Sequence, residues 1–216
     1  MFILNESPSI ANQFLTELRD IKRQTDRMRF RRNLERIGEI MAYELSKSLQ
    51  YHTEEIETPL TQTSLQNLSD TPVILSVMRA ALPFYQGVLN YFDQADSGFI
   101  GAYRKKHTSA EEEVEIDLNY IAAPTLEGRE VIIVDPMLAT GKSFVKSVQH
   151  LLANGEPKMV HIMAVIAAPE GVNYIKENLS IPHKFWIAAM DTNLNDMAYI
   201  VPGLGDAGDL AFGPKI

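Results

Sequence analysis

The stretch VIIVDPMLATGKS, residues 131–143, decides the fold. Its first four residues are branched and apolar, the mark of a strand buried on both faces within a parallel sheet. The strand ends in the carboxylate Asp135, passes through a short turn, and opens a helix at or near Ser143. Ligands of open parallel sheets bind beyond the carboxyl ends of the strands. A helix N-terminus there offers free N–H groups and a positive dipole end to an anion. Thr140, Gly141, Lys142 and Ser143 occupy that place. Gly141 lets the backbone approach a phosphate closely. Thr140 and Ser143 add hydroxyl donors, and Asp135 offers a hydrogen-bond acceptor for hydroxyls of a ligand held there.

Working outward, the same alternation of strand and helix recurs. Residues 72–78 (PVILSVM) read as a buried strand, with a helix over 80–91. Helix 143–153 is followed by a strand at 160–167, a helix at 170–178 and a strand near 185–189. Such alternation implies crossover units on a parallel sheet. The β-rich stretches 98–104 and 114–121 flank a polar connector, and read as an antiparallel hairpin with an exposed charged tip. Upstream, Leu34, Ile37, Met41 and Leu45 put one apolar face on a long helix over 26–49. Arg27, Arg29, Arg31 and Arg32 at its start read as a solvated face or subunit contact rather than an RNA or phosphate patch. The tail, 199–212, is rich in Gly, Asp and Pro and is expected to be loop. The expectation is one α/β domain over 1–216, with helices on both faces of the sheet. Residues 1–50 and 180–216 form a hood, and a hairpin arm projects over 98–121.

Composition narrows the function. The 216 residues carry 20 basic and 28 acidic side chains, a net charge of -8. Long-range attraction to nucleic acid or an anionic membrane is therefore disfavoured, and neither is expected as a partner. An anionic substrate must be held by local donors. The chain has no cysteine, which excludes disulfides, thiol nucleophiles and thiolate zinc sites. The five histidines (52, 107, 150, 161 and 183) show no metal-ligand spacing, and read as surface or core. No stretch has the form of a secretory signal or approaches the roughly 20 apolar residues that span a bilayer. A cytoplasmic protein is expected.

Three readings of 131–143 compete. A Walker A loop needs G-x-x-x-x-G-K-[ST]. The chain ends correctly in Gly141-Lys142-Ser143, but Pro136 stands at the first glycine's place, with a fixed φ and no N–H to give. The second reading is a plain strand–turn–helix in which Asp135 only caps. The third is a family resemblance. VIIVDPMLATGKS resembles the phosphoribosyl-diphosphate signature of phosphoribosyltransferases, and DPMLATG resembles the uracil-specific branch. SVMRAA, residues 76–81, resembles that family's diphosphate loop, and YIVPGLGDAGDLAFG, residues 199–213, resembles its uracil-binding tail. The three motifs fall in family order, within a likeness running from about residue 18 to the end.

The resemblance implies transfer of ribose 5-phosphate from phosphoribosyl diphosphate to N1 of uracil, giving UMP and diphosphate with Mg²⁺ present, as in pyrimidine salvage. Asp135, Pro136, Met137, Leu138, Ala139, Thr140, Gly141, Lys142 and Ser143 would hold the ribose 5-phosphate. Arg79 and Arg104 would bind the diphosphate. Ile200, Gly205, Asp206 and Ala207 would read the uracil, with Asp206 also near the ribosyl donor. Asp206, Arg79 and Arg104 are the catalytic candidates, and magnesium would be carried mainly by the substrate. A backbone-lined loop suits uracil, whose edge alternates C=O and N–H groups, and rejects cytosine by leaving buried groups unpaired. The chain departs from the family at Lys142 (usually glycine), Ala81 and Pro83 (usually glycines) and Leu210 (usually basic). These departures keep a second reading open, a regulatory relative that binds phosphoribosyl ligands without efficient transfer. A homodimer is expected, because a projecting hairpin leaves strand edges unpaired unless a partner covers them. A GTP-responsive higher oligomer is a further expectation.

Overall fold

The computed structural model describes residues 1–104 and 116–214, and the side chains of 102–104 and 116–119 lie outside it. Histidine 107 and the connector at 105–113 are likewise outside the described residues.

In chain order the elements are β1 (Phe2–Ile3), α1 (Ile10–Arg19), α2 (Arg27–Ser46), β2 (Tyr51–Glu57), β3 (Gln62–Leu68) and β4 (Val73–Met78). There follow α3 (Leu82–Leu89), β5 (Asp96–Arg104), β6 (Ile116–Ala122), β7 (Glu130–Val134), β8 (Met137–Leu138) and α4 (Lys142–Leu151). The chain closes with β9 (Met159–Ala167), α5 (Pro169–Asn178), β10 (His183–Met190), β11 (Asn193–Leu194), β12 (Ile200–Val201) and α6 (Ala207–Phe212). One sheet runs β1-β10-β9-β7-β4-β5-β6, with β8 paired to β9. Every pairing is parallel except β5 with β6. The alternating pattern read from the sequence is thus an α/β fold with a mostly parallel central sheet.

Pleating sorts the strand residues onto two faces. Ile74, Ile132, Val134, Met163 and Trp186 face α1, α2 and α3. Val73, Val131, Ile133, Ile162 and Phe185 face α4 and α5. The periodic residues of α2 behave as their spacing demands: Leu34, Ile37, Met41 and Leu45 are fully buried. Each such side chain contributes about 1.5–3 kcal/mol relative to an exposed one. α2 and α3 cross closely where glycines meet. A Cβ at Gly87 would stand 2.0 Å from the Glu35 carbonyl, and one at Gly38 would stand 2.4 Å from that of Phe84.

The arginines at the start of α2 mostly serve intramolecular contacts. Arg29 pairs with Glu17 of α1 at 2.8 Å, and Asn33 donates to the same carboxylate at 2.7 Å. Arg32 pairs with Glu35, and Arg31 donates to the Ala211 carbonyl at 2.7 Å. Arg27 is exposed, with its guanidinium close to Gly213.

The tail departs from the expected loop. Residues 207–212 form α6, because the Asp206 side chain caps it by accepting from the Asp209 amide at 3.0 Å. Of the hairpin read at 98–121, the described residues form β5 and β6, paired antiparallel and joined to the sheet through β4. A second hairpin, β2 with β3, pairs only with itself and is almost wholly exposed.

Candidate active site

A cavity of about 450 Å³ opens at the carboxyl ends of β4 and β7. Three segments wall it: the turn 135–141 with Ser143 and Phe144, the loop 77–80, and the tail 198–200 with 205–208. Asp135 through Gly141, Ser143, Arg79, Ile200, Gly205, Asp206 and Ala207 all line it. The structure therefore brings together the three motifs read separately in the sequence. Lys142 is exposed and is not on the wall. The Arg104 side chain lies outside the described residues.

The turn is held by backbone geometry. Asp135 Oδ1 accepts from the Met137 amide at 3.1 Å, and β8 ties the turn to β9. Gly141 is the N-cap of α4, at φ 73°, where a side chain is strained. Gly141 has no side chain to cap α4, and although the Lys142 amide leans on Thr140 Oγ1 at 3.4 Å, helix-start amides of this kind suit an anion. A Cβ at Gly141 would stand 2.6 Å from the Gly171 carbonyl, and one at Gly171 would stand 2.2 Å from that of Ala139. The turn is thus seated directly on the first turn of α5. Gly171 was not read as a site residue, because its role depends on a contact between segments thirty residues apart.

Electrostatics distinguish the two carboxylates. Asp135 lies part-buried beneath the cavity, and loss of solvent pushes its carboxyl up to about 6, partly opposed by the Met137 amide. Asp206 caps α6 at the exposed rim. Opposite the turn, Arg79 donates through Nη2 to Asp209 Oδ1 at 2.9 Å and to the Gly213 carbonyl at 2.8 Å. The tail is fixed from behind by a pair absent from the sequence reading. Arg19 of α1 meets both oxygens of Asp191, at 3.0 and 2.6 Å, and donates to the Gly203 carbonyl at 3.1 Å. Asp191 also accepts from the Gly203 amide at 2.9 Å. No short motif marks that pair, whose members are 172 positions apart. Tyr199 also lines the cavity, and its place beside Ile200 was the one signal for it.

Among the described residues no group of three or more His, Asp or Glu side chains is arranged to hold a metal. Two carboxylates on a phosphate-cradling cavity do suit Mg²⁺, which binds through one or two carboxylates and substrate phosphates.

An anion-cradling turn at the strand ends of a parallel sheet, faced by an arginine loop and a capped tail, defines an α/β protein with a site suited to an anionic ligand. The comparisons narrow the class. The family pattern described as "Uracil phosphoribosyltransferase" matches residues 5–214, so the chain belongs to that family. It is 44% identical to the uracil phosphoribosyltransferase of Porphyromonas gingivalis over 213 residues, covering 99% of this chain and 98% of that one. It is 40% identical to that of Thermococcus gammatolerans, covering 100% and 94%. Among solved structures, the AQ2163 protein of Aquifex aeolicus superposes with a TM-score of 0.84 at 30% identity, covering 97% of both chains.

Proposed function

We propose that the chain transfers ribose 5-phosphate from 5-phosphoribosyl 1-diphosphate to N1 of uracil, releasing diphosphate and forming UMP. The observation that carries this is the single cavity on which the turn 135–143, the Arg79 loop and the tail 200–207 converge.

The 5-phosphate lies against the first-turn amides of α4 with the Thr140 and Ser143 hydroxyls, and Asp135 accepts from the ribose hydroxyls. The diphosphate lies toward Arg79, with Arg104 as its second cation. Uracil lies against Ile200, Gly205 and Ala207, whose backbone groups pair with its edge. The C1–oxygen bond breaks as the bond from uracil N1 forms, the bonding pair leaves with the diphosphate, and the N1 proton passes to water. Positive charge develops on the sugar and negative charge on the leaving group. Arg79 meets the negative charge, while Asp206 stands beside the ribosyl donor. Holding both substrates in line removes much of the remaining barrier. Asp135 and Asp206 are the carboxylates that would meet a magnesium ion brought in mainly by the substrate, and such an ion would neutralise charge on the leaving group.

The four departures from the family pattern do not favour a regulatory reading. None of Ala81, Pro83, Lys142 and Leu210 is on the cavity wall. Pro83 sits in the first turn of α3, where proline costs no helix hydrogen bond. Ala81 is buried and Leu210 packs on the core.

The working unit we assign is a homodimer in the cytoplasm. An isolated two-stranded hairpin is marginal in water. β2–β3, with Leu60 and Leu65 exposed, would be covered by a partner copy. No helix among the described residues is long and apolar enough to cross a membrane. The test is incubation with uracil, phosphoribosyl diphosphate and Mg²⁺, following UMP and diphosphate by chromatography. UMP is expected, with at least a hundredfold loss in Asp206→Ala. Absence of UMP from the unaltered chain overturns the proposal.

A further inference from the structure

Arg79 is already engaged on the side that a diphosphate would use. Its Nη2 carries two hydrogens, and both are taken, one by Asp209 Oδ1 at 2.9 Å and one by the Gly213 carbonyl at 2.8 Å. A guanidinium grips a phosphate bidentately along one of two edges, Nε with Nη2 or Nη1 with Nη2. Each edge needs an Nη2 hydrogen. A diphosphate oxygen pair can therefore reach a full fork on Arg79 only if one of these bonds is given up.

The two bonds are not equally easy to surrender. The Gly213 carbonyl is neutral, and its chain is also drawn in by Arg31, which donates to the Ala211 carbonyl two residues earlier. Asp209 carries a charge of the same sign as the arriving ligand and would face it across one nitrogen. The Arg79–Asp209 pair is also part-exposed, at 35% and 39% of the side-chain surfaces, so water can take over the released carboxylate. Such pairs are weakly held.

We infer that Asp209 is an internal competitor of diphosphate for Arg79, so that diphosphate binding exchanges the Asp209 carboxylate for a phosphate oxygen pair. Asp209 thereby sets the affinity of the diphosphate site without touching uracil or ribose. It also gives the leaving group a built-in displacer, since the carboxylate returns to Arg79 as diphosphate departs. This rests on the reading of the cavity as a phosphoribosyl-diphosphate site.

The probe is inorganic diphosphate with Mg²⁺, titrated calorimetrically into the full chain. In Asp209→Asn, the dissociation constant is expected to fall about threefold to fivefold, the scale of a part-exposed ion pair. Asp209→Glu, which restores the charge, is expected to match the unaltered chain. Thermal midpoints are read alongside, because a purely structural role would lower them and weaken binding. Diphosphate bound equally or more weakly by Asp209→Asn overturns the inference. If that variant does not fold, amide exchange in the unaltered chain decides. Exchange across residues 209–213 is expected to quicken with diphosphate, and unchanged or slowed exchange overturns the idea. Failure of the unaltered chain to bind diphosphate at all would instead overturn the function on which the inference rests.

Discussion

Asp135 and Asp206 are both carboxylates on one cavity wall, yet they sit in different surroundings and should fail differently. Folding raises the Asp135 pKa from 3.8 to about 6. The folded chain therefore keeps a proton that the unfolded chain has lost, and stability from this group declines as pH rises through that window. Accepting from ribose hydroxyls needs the ionised form, so phosphoribosyl-diphosphate use should climb as pH rises through about 6. The ligand's own phosphate titrates nearby, so the comparison is with Asp135→Asn. The ratio of kcat/KM, native over variant, should rise about tenfold from pH 5 to pH 7. A flat ratio would remove Asp135 from ribose binding. Gly171 gives a second test at this scale. Its missing side chain would overlap the Ala139 carbonyl, so Gly171→Ala must displace the phosphate turn. A rise in KM for phosphoribosyl diphosphate of about tenfold or more is expected, while an unchanged KM would mean that the turn is not seated on α5.

Between elements, two contacts join α1, α2 and α3 on one face of the sheet. α2 and α3 are in backbone contact at Gly38 and Gly87, and the loop bearing Arg79 leads directly into α3. Gly87→Ala should cost about 1–3 kcal/mol in urea unfolding, and should weaken diphosphate binding as well. Loss of stability with unchanged binding would uncouple α3 from the loop. α1 and α2 are joined through Glu17, whose bonds from Arg29 and Asn33 hold its carboxyl down to about 2. A lowered acid pKa stabilises above the ordinary value near 4.5, and that gain is lost as pH falls through about 2. Glu17→Gln should therefore unfold at lower urea at pH 7, with the difference closing near pH 2. The elements easiest to read from sequence were those with strong periodicity, α2 and the buried strands β4, β7 and β9. β2 and β3 escaped because their exposed faces carry no apolar alternation. α6 escaped because Asp206 and Asp209 look like turn formers until their capping bond is seen. The site was legible where one short segment supplies several groups, as in 135–143. It was not legible where Arg19 must find Asp191 across the chain.

Across the whole molecule, the carboxyl ends of the strands hold the cavity while the amino ends hold a buried polar chain. Trp186 donates to His161 Nδ1 at 3.0 Å, so His161 carries its proton on Nε2 and donates to Glu130 at 2.9 Å. Burial holds the imidazole below its ordinary 6.5, outweighing the pull of Glu130. The unfolded chain thus takes up this proton first, and stability should fall as pH drops below 6.5. His161→Gln should be less stable at pH 7.5 yet lose less on moving to pH 5.5, as read by urea unfolding. An equal loss in both chains would place the pH sensitivity elsewhere.

Trp186 is the chain's only tryptophan, and it lies beside Phe2 with ring centres 5.5 Å apart. β1, the two-residue edge strand, is paired to β10 at this position. Nature has thus placed one fluorophore where the first residues of the chain dock. Its emission reports whether that terminus is seated, with no label attached. An affinity tag fused ahead of Met1 would be detected by the same signal, before any assay of turnover, if it lifted the terminus from the sheet.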